Sequence, residues 1–145
     1  MMNKVKKVFL VTSVKKKSGY AALAKDLYIS PLFKKSRKYV EPFNMPWFIL
    51  SEEYGLLSPD KKIKPYEKTL KKMNTKEKKD WAERVISQME NNLPEADEII
   101  ILAGKNYYKN LFAYLEENYK KVTIPMGNLG IGERLKWLNE RINHI

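Results

Sequence analysis

Cysteine is absent from this chain of 145 residues. Disulfides, thiolate metal sites and cysteine nucleophiles are therefore excluded. Histidine occurs once, as His144, one residue from the end of the sequence. Histidine catalysis and a histidine-built zinc centre are accordingly not expected, no metal site is expected, and no cofactor is indicated. Glycine is sparse, at six residues, and the loop where a Walker motif or a G-x-G-x-x-G dinucleotide motif would sit lacks their spaced glycines. Long apolar runs are missing as well. The run from Val8 to Val14, preceded by Met1-Met2-Asn3-Lys4-Val5-Lys6-Lys7, resembles the opening of a signal peptide. It is too short for that, has no small-residue cleavage site after it, and is followed by Lys15-Lys16-Lys17, so it reads as a first strand. No transmembrane helix is expected, hence no membrane partner, and the expected compartment is the cytoplasm.

What is present suits one ordinary domain. Hydrophobic residues make up 43% and aromatic residues 12%, which excludes a disordered polymer and supplies core material. The net charge is +11, from 28 Lys and Arg against 17 Asp and Glu. Such an excess attracts polyanions. Most of it is lysine, much of it between Lys61 and Lys79. From charge alone, nucleic-acid contact and a merely solvated lysine-rich surface stand level, and the scarcity of arginine argues against base-specific readout through guanidinium forks.

Three segments read as buried strands: Lys7 to Ser13, Trp47 to Ser51, and Glu98 to Gly104. Each is short, apolar on both faces and ends in a small residue, as strands do when helices cover both sides of a parallel sheet. A weaker fourth, Lys121 to Pro125, suits an edge. Between them lie helical patterns. Ser30-Pro31 opens one through Tyr39, with a capping serine and a first-turn proline. Asn74-Thr75 opens a long one toward Asn91, with Trp81, Val85, Ile86 and Met89 at helical spacing. Asn106 to Asn118 and Gly132 to Ile142 supply two more. The alternation predicts an α/β fold: a single compact domain over residues 1–145, with a mostly parallel central sheet of about four strands flanked by helices.

In open parallel sheets, ligands bind beyond the carboxyl ends of the strands. Those ends deliver Ser13, Lys15 and Lys16 after the first strand, a basic turn suited to a phosphate and equally readable as a plain loop. The second strand delivers Ser51, Glu52, Glu53, Tyr54 and Gly55, with Pro65-Tyr66 as a rigid corner further on. Glu52 and Glu53 are acid–base candidates or exposed partners of lysines, and Gly55 is expected at a backbone angle other residues avoid. The third strand delivers Gly104, Lys105, Asn106 and Tyr107. Asp26 and Tyr28 offer a hydrogen-bond acceptor and a stacking ring, although a turn aspartate and a core tyrosine explain them at least as well. The segment from Pro125 to Leu135 is glycine-rich, with Gly132 and Arg134 placed to fold over a ligand and grip an anion, or simply to start a helix. The candidate catalytic set is Asp26, Ser51 and Glu53. The ligand-binding set is Ser13, Lys15, Lys16, Tyr28, Tyr54, Gly55, Tyr66, Gly104, Lys105, Tyr107, Gly132 and Arg134.

The segment Phe48 to Asp60, with its Leu-Ser and Tyr-Gly-Leu-Leu blocks, followed by Ile63-Lys64-Pro65-Tyr66, resembles the signature of YaaA-like proteins. The blocks Ser13 to Lys17, Leu27 to Phe33, Ala103 to Tyr107 and Leu129 to Leu138 resemble a smaller uncharacterised bacterial and phage family related to them. That family often has cysteine where this chain has Ser13, so a thiol role there cannot be essential here. The larger proteins carry additional helical segments, not all of which this chain can hold. The resemblance implies links to peroxide stress and DNA binding through a positively charged cleft. More distantly, the first loop and the apolar–Ser strand are similar to the core of archaeosine synthase, which favours nucleobase-containing ligands.

Three functional readings follow. The first is a nucleotide- or nucleic-acid-binding domain, or an enzyme acting on a nucleobase-containing substrate; an enzyme should join Ser13, Asp26, Ser51 and Gly104 in one deep pocket. The second is a non-catalytic DNA-binding protein linked to stress or phage biology. The third is a protein-interaction module.

Overall fold

The computed structural model describes residues 4–12 and 17–142. Ser13, Lys15, Lys16 and His144, named above, lie outside the described residues. In chain order the elements are β1 (Val5–Thr12), β2 (Ala22–Leu23), α1 (Ala24–Leu27), α2 (Pro31–Val40), β3 (Trp47–Ser51), β4 (Gly55–Leu57), β5 (Lys62–Ile63), α3 (Thr75–Asn92), β6 (Ala96–Leu102), α4 (Lys105–Tyr108), α5 (Phe112–Asn118), β7 (Lys121–Thr123) and α6 (Ile131–Ile142). Two 3₁₀ turns, Glu41–Phe43 and Leu70–Lys72, punctuate the connections.

The central sheet has five strands in the order β4-β3-β1-β6-β7. β3, β1, β6 and β7 run parallel, and β4 pairs antiparallel with β3 at the edge. The chain winds from β1 outward to β3, then crosses back over β1 to reach β6. Because parallel crossovers keep one hand, a reversal of winding direction puts successive helices on opposite faces. The two apolar clusters show this. Phe9, Val11, Ile49 and Leu102 face Leu27, Phe33 and Val40 of the α1–α2 region and Leu138 of α6. On the other face Val8, Leu10, Ile99 and Ile101 meet Trp81, Val85 and Met89 of α3, together with Leu111 and Leu115. The reversal leaves a switch point between the carboxyl ends of β1 and β6, where open α/β sheets bind ligands.

Local chemistry accounts for most boundaries. Ser30 caps α2, its hydroxyl accepting from the Phe33 amide, with Pro31 in the first turn. Asn74 and Glu77 form a reciprocal capping box at the start of α3. The helix expected over 106–118 is broken. Leu111 is fully buried, and its amide bonds to the Tyr108 carbonyl at 2.9 Å, a tight i→i+3 turn that separates α4 from α5. The fifth strand, β4, lies in a segment expected to be loop. Gly55 has φ 74°, so the chain reverses within three residues and Ser51 pairs with Gly55. β2 and β5 form a separate antiparallel pair, Ala22 against Ile63 and Leu23 against Lys62. Among the described residues no helix is long and apolar enough to cross a membrane.

Candidate functional site

β3 ends on Ser51, which is fully buried. Its carbonyl accepts from the Trp81 indole at 2.9 Å, tying the strand end to α3. Its hydroxyl accepts from the Tyr54 amide at 3.0 Å, closing the hairpin turn, and donates to the Tyr66 hydroxyl at 2.9 Å. Tyr66 arrives there because the β2–β5 pair holds the chain just upstream of the Pro65-Tyr66 corner. Its own proton goes to Glu52 Oε1 at 2.9 Å. The Tyr28 hydroxyl, 2.6 Å from that of Tyr66, must then be the donor of that contact. Tyr107, from α4, donates to Glu52 Oε2 at 3.0 Å. Arg84 donates to the Glu52 carbonyl at 3.3 Å. The Lys17 ammonium lies 4.3 Å from the centre of the Tyr66 ring.

The hub of this network is therefore the Glu52 carboxylate, only 2% exposed, with a phenol donating to each oxygen. Burial, and then the adjacent Glu52 charge, hold the Tyr66 hydroxyl far above its ordinary ionisation range. Burial pushes Tyr28 up to about 12. Both phenols thus remain protonated donors throughout the physiological range. Every fully buried polar side-chain atom among the described residues has a hydrogen-bond partner.

Glu52 lines two clefts. One, of about 530 Å³, is walled mainly by apolar groups: Leu32 at the start of α2, Leu70, Tyr107, and Ile131 and Leu135 of α6. The other, of about 270 Å³, sets the charged side chains of Lys68, Glu77, Asp80 and Arg84 around Met73 and Trp81. A buried carboxylate beneath an apolar cleft accepts N–H or O–H donors from whatever enters, and it does so more strongly than in water.

The residues singled out from the sequence divide accordingly. Ser51, Tyr66, Tyr28 and Tyr107 belong to the Glu52 network. Tyr54 stands edge-on to Tyr66, with ring centres 5.6 Å apart, and its hydroxyl bonds the Lys64 carbonyl. Gly55 makes the turn. Gly104 lies beneath the Arg134 guanidinium. Lys105 and Gly132 are exposed at helix starts. Asp26 does not join Ser51 and Gly104. It is an exposed partner of Arg37, at 2.9 Å, in a separate surface cleft with Lys25 and Lys38, because α1 turns its polar side outward while Leu27 and Tyr28 enter the core. Glu53 is exposed and 3.9 Å from Lys68, in the lysine-partner role named above as the alternative for both glutamates. The pocket expected to unite Ser13, Asp26, Ser51 and Gly104 is therefore not formed by the described members of that set. Glu52 takes the central place, and Trp81 and Leu70 join it from segments read only as core helix and lysine-rich surface.

Residues 8–140 match the family described as "Family of unknown function (DUF6884)". A relative in Bacillus subtilis (strain 168), "Uncharacterized protein YfjM", is 29% identical over 122 residues, spanning 82% of this chain and 79% of that protein. No solved structure matches significantly.

Proposed function

We propose, from the premise that the chain belongs to DUF6884, a family of unknown function, that its apolar cleft binds a nucleobase-containing ligand whose amino and ring N–H groups are read by Glu52. The observation that carries this reading is the buried Glu52 carboxylate, held by Tyr66 and Tyr107 and lining an apolar cleft at the carboxyl ends of the strands. Leu32, Leu70, Ile131 and Leu135 offer flat apolar contact to a ring, and the carboxylate accepts from amino and imino edges. A cationic amine would satisfy the same acceptor, but a chain of net charge +11 repels cations at long range and favours neutral or anionic ligands. The likeness of the Phe48 to Tyr66 segment to YaaA-like proteins points toward nucleic-acid chemistry as well. Because Asp26 and Glu53 stand apart from the network, the reading is of a ring-recognition site and assigns no reaction.

The test is thermal unfolding of the protein with guanosine, adenosine, cytidine and uridine and their 5′-monophosphates, for the native chain and Glu52→Gln. A ligand at a hundred times its Kd adds about 2.7 kcal/mol, or a rise of roughly 5–10 °C for a domain of this size. The rise is expected above all for guanosine and its monophosphate, whose amino and ring N–H groups lie side by side on one edge, and should vanish in Glu52→Gln. No shift with any member of the panel, alongside strong salt-sensitive binding to duplex DNA, would replace this reading with non-catalytic DNA binding.

A further inference from the structure

β6 delivers Gly104 beside the switch point, and the guanidinium of Arg134 occupies the place where a side chain would be. A Cβ built on Gly104 would stand 2.9 Å from Nη2 and 3.1 Å from Nη1 of Arg134. The backbone of Gly104, at φ −81° and ψ 166°, is ordinary extended chain that any residue adopts. Glycine here makes room for the arginine; it does not serve a turn. The Nε of Arg134 donates to the Leu129 carbonyl at 2.8 Å, which fixes the plane of the group. Among the described residues, no carboxylate pairs with Arg134, and Nη1 and Nη2 have no hydrogen-bond acceptor. Gly104 and Arg134 do not themselves line the Glu52 cleft, but their chain neighbours do. Arg134 lies on α6 between Ile131 and Leu135, and Gly104 lies two residues before Asn106 and three before Tyr107. All four of those flanking residues line the cleft.

We infer that Arg134 and Gly104 form an anion subsite at the mouth of this cleft, and that its occupant is the phosphate monoester of a nucleotide whose ring enters toward Glu52. A guanidinium anchored through Nε presents its terminal N–H groups as a preset fork for two oxygens of one anion. Gly104 seats that fork against the end of β6, beside the switch point where open α/β sheets bind ligands. The inference deepens the ring-recognition reading and rests on it for the identity of the ring, though not for the existence of the anion subsite.

The experiment measures binding of guanosine, guanosine 5′-monophosphate and inorganic phosphate by calorimetry to the native chain, Arg134→Gln, Gly104→Ala and Glu52→Gln. The melting temperature of each variant is recorded alongside. Arg134→Gln also loses the bond to Leu129, whereas Gly104→Ala keeps it and only displaces the guanidinium, so an effect shared by both variants is not one of folding. The monophosphate is expected to bind at least about tenfold more tightly than the nucleoside, which corresponds to about 1.4 kcal/mol. Both variants should erase that advantage while leaving nucleoside affinity within about twofold. Equal affinity for nucleoside and monophosphate, unchanged in both variants, overturns the anion subsite but leaves the ring reading intact. Binding of inorganic phosphate that depends on Arg134, with no binding of guanosine and no effect of Glu52→Gln on the monophosphate, supports the subsite and overturns the ring reading. Failure of all three probes to bind overturns both.

Discussion

Replacing Tyr66 by phenylalanine keeps the ring and removes one oxygen, yet that oxygen makes three hydrogen bonds within 2.9 Å. The bond it donates to the Glu52 carboxylate is charge-assisted, worth about 1.5–3 kcal/mol. The Tyr28 hydroxyl, on a side chain 1% exposed, makes its 2.6 Å contact with Tyr66 and has the Ser51 hydroxyl beside it. In Tyr66→Phe it is left a buried donor without its main acceptor, at a cost of up to about 1–3 kcal/mol. Ser51 keeps the Tyr54 amide but loses its acceptor. Together these predict a loss of about 3–5 kcal/mol, a large fraction of the roughly 5–15 kcal/mol typical of a whole domain. Urea unfolding should show it as a lower midpoint at unchanged slope. The companion variant is Tyr28→Phe combined with Tyr66→Phe. Removing the stranded donor together with its acceptor should restore part of the loss, so the double variant should be at least about 1 kcal/mol more stable than the two single costs summed. A single-variant loss below about 1 kcal/mol, or strict additivity in the double, would show that Tyr66 is not the hub described.

Four further outcomes are expected. Tyr28 ionises at about 12 in the folded chain against an ordinary 10. Stability from this group is therefore complete below about pH 10 and is lost as pH rises toward about 12, by roughly 2–3 kcal/mol. Urea titrations across that window should show a decline to which Tyr66, held higher still, also contributes, and Tyr28→Phe should make it shallower without abolishing it. Gly55→Ala combines a φ of 74° with a Cβ 2.1 Å from Gln88 Oε1, so a loss of at least about 1–3 kcal/mol in the same assay is expected. Asn74→Ala should cost about 1 kcal/mol through the lost capping box at α3, read as a lower thermal midpoint. Asp26→Asn breaks only an exposed ion pair and should change stability by less than about 1 kcal/mol; it should leave ligand affinity unchanged, whereas a large loss of affinity would return Asp26 to the site.

The parts of the fold legible beforehand were those written in local pattern. Doubly apolar runs marked β1, β3 and β6, and the capping residues Ser30 and Asn74 marked the starts of α2 and α3 to the residue. β4 was hidden because its three residues carry no alternation of their own; pairing with β3 depends on the reversal at Gly55 and on Gln88 from α3, which bonds the Leu56 amide and the Tyr54 carbonyl. The break between α4 and α5 was hidden because Leu111 fits a continuous helical stripe equally well. At the site, Ser51, Tyr66 and Tyr107 were legible as residues at strand ends or corners. The choice between Glu52 and Glu53 was not, since neighbouring carboxylates in a turn are separated only by which one the tertiary fold turns inward. Tyr28 was judged better as core than as ligand, and it is core, but its hydroxyl still reaches the network.

Trp81 gives the site its own optical reporter. Of the chain's three tryptophans, Trp81 is the one whose indole N–H is bonded to the Ser51 carbonyl, one residue from Glu52, and its ring stands edge-on to Tyr107 at 6.1 Å. Trp47 lies at the opposite end of β3, and Trp137 is stacked beneath Arg141 on α6. A chain carrying phenylalanine at 47 and 137 would emit from a single indole in contact with the hydrogen-bonded hub. Occupancy of the cleft would then be readable as a change in the wavelength and lifetime of that emission, without a label.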